Sequence, residues 1–311
     1  MRFEDRDGGS PVLIVGSVAL DTVKTPLGRV EDALGGAAVY SSVAASYFAP
    51  VMVVGVVGED FPKEHLEFLA SRGIDTAGIH TSPGKTFRWA GSYEFDLNQA
   101  HTIFTELNVF AQFRPKIPQA YRSTRFVFLA NIDPELQLEV LDQVRKPKLV
   151  ACDTMNFWIE NKREALIEVL KRVDVAFMND AEARQFVGTT SLVRAASVIR
   201  GFGPKTIIIK KGEHGALMCR DGICFAAPSY PLEEVVDPTG AGDSFAGGFI
   251  GYLAHTGDTS ERNIRKAIIY GSTMASYNVE GFSLDRLRRL TPRDISSRYN
   301  EFKEIVFFEP M

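Results

Sequence analysis

The chain has 311 residues, 45% of them hydrophobic, and carries 35 basic against 39 acidic side chains for a formal charge of −4. That composition supports a substantial core and excludes a largely disordered chain, while the lack of a basic excess excludes charge-driven partnership with nucleic acid or an anionic membrane. No apolar run approaches the roughly 20 residues of a membrane span, and residues 1–10 are charged and polar without the apolar centre of an export signal. Cys152, Cys219 and Cys224 lack metal-ligand spacing, so the expectation is a soluble cytoplasmic protein with reduced thiols that handles a small molecule.

In chain order, Val12-Leu13-Ile14-Val15 is a short apolar run ending at Gly16-Ser17, and a second run covers residues 51–57. Each reads as a strand buried on both faces. Residues 37–47 between them are small and helical. Further strands follow at 126–129, 148–151, 173–178 and 206–209, separated by helical patterns at 134–144, 162–171 and 192–200, and the chain after Asp243 is mostly helical, including 260–279. Strand and helix in strict turn imply an α/β fold with a mostly parallel sheet wrapped by helices.

Two segments break this rhythm. Residues 18–34 hold Thr, Val, Pro and Gly without helical period, and residues 85–113 are rich in Thr, Tyr, Phe and Asn with partial alternation. Both read as strands of a small separate sheet, a lid over the edge of the main one, with ordinary surface hairpins as the alternative. No repeat, low-complexity tract or linker divides residues 1–311, so one domain with lid segments at 18–34 and 85–113 is expected.

Gly16-Ser17-Val18-Ala19-Leu20-Asp21 puts an acid just past the first strand, where ligands of open α/β sheets bind. Asp21 reads either as a turn cap or as an acceptor for two hydroxyls of a polyol. Gly35-Gly36 opens the next helix with backbone freedom and an unobstructed N-terminus. Phe87 and Trp89 belong to a dense set of lid aromatics that either pack the small sheet or stack on a nucleobase or sugar. Asn179-Asp180-Ala181-Glu182 follows a strand and has capping-box spacing. Lys211, in Lys210-Lys211-Gly212-Glu213-His214-Gly215, reads as a phosphate contact or a solvated charge. Gly271–Asn278 is a small-residue helix face, read as close packing or as a pocket wall with Asn278 as a contact.

The most informative stretch is Asp237-Pro238-Thr239-Gly240-Ala241-Gly242-Asp243-Ser244-Phe245-Ala246-Gly247-Gly248-Phe249. A helix start presents unpaired N–H groups and partial positive charge, and Gly240, Ala241 and Gly242 let an anion approach them. Asp243 reads either as a helix cap beside a tight glycine turn or, because a carboxylate repels phosphate and is tolerated there more readily if it takes a proton from the attacking group, as a sign of phosphoryl transfer. Gly247 and Gly248, each costing about 1 kcal/mol relative to Ala inside a helix, require something to approach that backbone closely.

This stretch resembles the C-terminal signature of the ribokinase-like (PfkB-type) carbohydrate kinases, and with the weaker motifs the resemblance runs from Gly16 to about Gly281. It implies a three-layer α/β fold with a small β lid, ATP and Mg²⁺ as cofactors, Asp243 as general base and Gly240-Ala241-Gly242 as anion hole. Asp21, Gly35, Gly36, Phe87 and Trp89 then fall on the acceptor side. Asn179, Lys211, Gly212 and Asn278 fall on the nucleotide side, with Glu182 ordering Mg²⁺ and its waters. Where the family has an Asn four residues after the second glycine, this chain has Tyr40, which puts the preferred acceptor in doubt. A sugar is the default acceptor, a ribonucleoside the close rival and a non-catalytic sensor the third reading. Lid strands with exposed apolar faces leave a homodimer through the lid open, and neither membrane nor nucleic acid is expected as partner.

Overall fold

The computed structural model describes residues 8–309, so the expectation about an export signal, which rests on residues 1–10, lies largely outside the described residues. The strands are β1 (Val12–Val15), β2 (Ala19–Thr25), β3 (Gly28–Gly35), β4 (Val51–Gly58), β5 (Ile74–Ser82), β6 (Phe87–Ser92), β7 (His101–Glu106), β8 (Phe126–Leu129), β9 (Leu149–Cys152), β10 (Val175–Asn179), β11 (Thr206–Lys210), β12 (Ala216–Arg220) and β13 (Ile223–Ala227). A nine-stranded sheet has the order β13-β12-β11-β10-β9-β8-β1-β4-β5, and a four-stranded sheet the order β3-β2-β6-β7. Every pairing of the large sheet from β5 to β11 is parallel, and β12 and β13 extend it antiparallel.

The short apolar runs form central strands because a sheet covered on both faces needs apolar side chains in both directions. Val12 and Ile14 enter one core with the helices Ala37–Ala45, Ala241–Thr256 and Glu261–Asn278, whereas Leu13 and Val15 enter a second with Pro134–Gln143, Arg163–Leu170 and Leu192–Arg200. The result is three layers. β5 lies at the sheet edge with mostly polar, half-exposed residues, which is why its sequence carried no strand signal. The chain moves outward from β1 in both directions, through β4 on one side and β8 on the other. That reversal opens a crevice at the carboxyl ends of the strands, the usual ligand site of such sheets.

The small sheet draws β2 and β3 from one segment and β6 and β7 from the other, as the two breaks in rhythm imply. Residues Asn108–Gln112 form a 3-10 turn rather than more strand. One expectation needs correction: Cys219 and Cys224 face each other across the β12–β13 hairpin and are joined as a disulfide, leaving Cys152 as the free, buried thiol among the described residues. Periodicity alone does not reveal that these two residues share a register position. Among the described residues, no helix is long and apolar enough to cross a membrane.

What approaches Gly247 is the helix Ala37–Ala45: a Cβ there would lie 2.2 Å from the Ser41 carbonyl oxygen. The helix that begins at the 240–243 turn is thereby pressed against the one that begins at Gly36. Gly247→Ala should therefore destabilise the protein by about 1–3 kcal/mol, as overpacking does. Urea denaturation measures this, and a change under about 0.5 kcal/mol, the size of a neutral surface substitution, would contradict the close packing.

Candidate active site

Beyond β1 the chain turns through Ser17, whose hydroxyl oxygen accepts the Ala37 N–H at 2.9 Å and whose carbonyl accepts the Ala38 N–H at 3.0 Å. Asp21 on β2 is buried and accepts the Gly36 N–H. The helix start at Gly36 is thus occupied by Ser17 and Asp21 rather than open to a ligand. Gly35 is required because its Cβ would sit 1.9 Å from Asp21 Oδ2.

On the facing side, buried Asp237 accepts the N–H groups of Thr239 (2.9 Å) and Ser283 (3.0 Å), which fixes the turn that follows. Gly240 takes φ +75° at the cap of Ala241–Thr256, and the Tyr40 ring packs where a Cβ would project. The Ala241 N–H donates to Pro238 O at 3.2 Å. The amides of Gly242 and Asp243 carry no protein partner among the described residues and remain as anion donors. Asn278 stabilises the same turn, donating to Thr239 O at 2.7 Å and accepting from Ser244 Oγ at 3.0 Å. It is buried and fully engaged, so the expectation that it contacts the nucleotide is replaced by an anchoring position; Ala275, Ser276 and Val279 on that helix face the cavity instead.

Lys210, not Lys211, enters the site. Its Nζ pairs with Asp153 Oδ2 at 2.5 Å, the two side chains being 18% and 3% exposed, and lies 3.0 Å from where a Cβ of Gly242 would be. Lys211 has its amide on Gly215 O and is absent from the cavity wall. Strand parity carries the distinction: Ile208 belongs to the core under Ala241–Thr256, so Lys210, two residues on, points to the same side and Lys211 lies beyond the strand.

Around this ammonium stand Asp153, Glu182 and Asp243. Asp243 is half-buried; burial chiefly, then the Asp153 charge, pushes its carboxyl up to about 7 against the pull of Lys210. Glu182 is likewise raised to about 7 by burial, with Lys210 opposing, and Asp21 to about 7 by burial, with the charges of Asp237 and Asp243 adding to it. Burial works against the Lys210 ammonium, but Asp153 and Glu182 hold it above the usual lysine range. Glu182 and Asn179 form the expected capping box, each side chain bonded to the other's N–H at 2.7 Å.

A cavity of about 530 Å³ extends from Lys210, Ala241 and Gly242 past Gly212 to Tyr230 and Val279. On the other side of the turn, Trp89 pairs in register with Asp21, its indole lying across Gly91 and donating to Thr102 Oγ1 at 3.3 Å. Phe87 is stacked on Phe110, which stacks on Phe113. It packs the small sheet onto the Asn108–Gln112 turn. Tyr93, present among the lid aromatics but not singled out among site residues, accepts a hydrogen bond from Thr239 Oγ1 at 3.2 Å. The geometry therefore brings together a buried carboxylate on β2, a turn with two amides unpaired among the described residues and an ammonium beside it, a carboxylate on that turn and a long cavity behind.

A folded carboxyl raised above its unfolded value binds its proton more tightly in the native state. That stability is complete below the unfolded value of about 4 and is lost as pH rises through about 7. Relative to Asp21→Asn and Asp243→Asn, the ligand-free wild type should lose thermal stability between about pH 5 and pH 8. Thermal melts across that range check this, and a constant difference would contradict the raised values.

A family model described as pfkB family carbohydrate kinase matches residues 12–286. The chain is 36% identical over 246 residues to a cytidine kinase of Thermococcus kodakarensis, covering 77% of this chain and 87% of that protein. It is 26% identical to a nucleoside kinase of Methanothermobacter thermautotrophicus, covering 89% and 90%. The crystal structure of a nucleoside kinase from Methanocaldococcus jannaschii superposes with a TM-score of 0.75 at 21% identity, over 94% of this chain and 99% of that one. A ribokinase from Thermotoga maritima gives 0.73 at 19%, over 94% and 99%. The fold, the order of the motifs and these likenesses agree: the chain belongs to the pfkB family of carbohydrate kinases and is a phosphotransferase that acts on an alcohol group of a sugar or nucleoside.

Proposed function

We propose that the chain is a ribonucleoside kinase that transfers the γ-phosphate of ATP to the 5′-hydroxyl of its acceptor. The observation that carries this reading is the 36% identity with a cytidine kinase, sustained over 87% of that protein. Trp89 beside Asp21 supports it, since a carboxylate and an aromatic face together suit a ribose carrying a base. A simple sugar, the broader expectation from sequence, remains the second reading because a ribokinase of Haemophilus influenzae is 28% identical over 79% of this chain.

Asp21 would hold ribose hydroxyls and orient the 5′-hydroxymethyl group toward the turn. Asp243 takes the proton from the 5′-oxygen as that oxygen bonds to the γ-phosphorus, and the bond to the β–γ bridging oxygen breaks to release ADP. The N–H groups of Gly242 and Asp243 and the Lys210 ammonium meet the charge on the migrating phosphoryl oxygens. A base raised to about 7 is matched to proton abstraction near neutral pH.

Mg²⁺ fits these residues as an ion carried by the donor's phosphates rather than caged by the chain. Glu182 Oε2 already accepts the Asn179 N–H, and among the described residues no group of three or more His, Cys, Asp or Glu is placed to hold a metal. Asn179 and Glu182 would order its waters, and the bound ion neutralises charge on the phosphates. A second copy of the chain fits the small sheet, whose edge strand β7 is exposed along its length and carries Ile103 at 63% exposure.

Two measurements test this reading. With cytidine, uridine, adenosine, inosine, ribose and fructose as acceptors, ADP release should be fastest with a ribonucleoside; ribose or fructose as the best acceptor would contradict it. Asp243→Asn should bind acceptor and ATP nearly as wild type does while losing turnover by on the order of 10²- to 10⁴-fold. Retained turnover would remove Asp243 as the base.

A further inference from the structure

Residues 93–100 join β6 to β7 and leave the small sheet to cross the mouth of the donor cavity. The stem is fixed at Tyr93, whose N–H donates to Lys24 O at 2.8 Å and whose hydroxyl accepts from Thr239 on the anion turn. The tip is preformed: Asp96 Oδ1 accepts the Asn98 N–H (2.9 Å) and Nδ2 (3.2 Å), and Asp96 O accepts the Gln99 N–H (3.3 Å). At its far end, Asn98 Oδ1 occupies the space beside Gly212, where a Cβ would lie only 1.9 Å away, and Gly212 takes φ +54°. Phe95, Leu97 and Asn98 share one cavity wall with Lys210, Gly212 and Gly242.

Phe95 is fully exposed, with no neighbouring side chain covering its ring. A large aromatic placed on a cavity wall and left unpacked by the protein is suited to a planar or apolar ligand surface. The strands that carry this loop also stand over Asp21, so one rigid element borders both halves of the site.

We infer that the 93–100 loop is part of the donor site, with Phe95 covering the nucleotide and Asn98 docking the tip on Gly212. The strands that carry the loop also hold Trp89 beside Asp21, so donor and acceptor engage one element. This rests on the reading of the cavity as the ATP site. Because the donor and the acceptor engage one element, each raises the other's affinity by the same factor. The loop is a specificity-determining element for the donor and contributes nothing to proton transfer.

The test is isothermal titration of a non-hydrolysable ATP analogue into wild type, Phe95→Ala, Asn98→Ala and, as a control on the far turn of the small sheet, Leu27→Ala. Phe95→Ala and Asn98→Ala should each weaken analogue binding about tenfold, and cytidine should tighten it in wild type but less in either variant. Leu27→Ala should bind as wild type does. Analogue binding left unchanged in both loop variants would overturn the role of the loop while leaving the ATP site intact. A wild type that does not bind the analogue would overturn the ATP reading and this inference with it. Equal weakening in Leu27→Ala would mean general damage to the sheet and would also overturn it.

Discussion

A single ammonium, that of Lys210, stands among the carboxylates of Asp153, Glu182 and Asp243 at the point where β9, β10, β11 and the helix Ala241–Thr256 converge. The rest of the site depends on that arrangement. Three anions without it would repel one another and any phosphate that arrived. With it, Asp153 is compensated through a direct ion pair and Lys210 still lies beside Gly242, whose amide is unpaired among the described residues. In the first turn of a helix a carboxylate is ordinarily favoured as the anion. For Asp243, burial and the Asp153 charge outweigh that preference and leave a carboxyl that titrates near neutrality. Removing Lys210 would uncover a buried negative charge on Asp153, so electrostatic order and local stability are one property here.

The two sides of the reaction are built differently. On one side, Asp21 is fixed by the Gly36 N–H and by the missing side chain at Gly35, so this buried carboxylate is preorganised. On the donor side, the walls come from distant segments: the turn after β11, the helix Glu261–Asn278 and the tip of the small sheet. The 240–243 turn lies between them, anchored by Asp237 below and Asn278 behind.

Much of this was legible in the sequence because it is local. The apolar runs gave the central strands, the break in rhythm at 18–34 and 85–113 gave the small sheet, and Asn179-Asp180-Ala181-Glu182 gave its capping box by spacing alone. The Asp243 motif placed a carboxylate and free amides together because both belong to one turn. What was not legible depends on partners far along the chain. Asn278 is held by Thr239 and Ser244 across the fold, and the stacking of Phe87 on Phe110 needs the folded 85–113 segment. The disulfide requires the exact hairpin register between Cys219 and Cys224. Lys210 is the instructive case: counting in twos from Ile208 selects it over Lys211, but only once the face covered by Ala241–Thr256 is known.

If Asp243 is the base, its proton affinity is raised by burial and the Asp153 charge and held down by Lys210. The most direct measurement is the pH dependence of kcat/KM for the acceptor in wild type and in Lys210→Met. The account predicts an acid limb near pH 7 in wild type, reflecting a carboxyl held at about 7, and a limb displaced to higher pH when the ammonium is removed. A limb at the same pH in both proteins, or none above the ordinary carboxylate range, would contradict it.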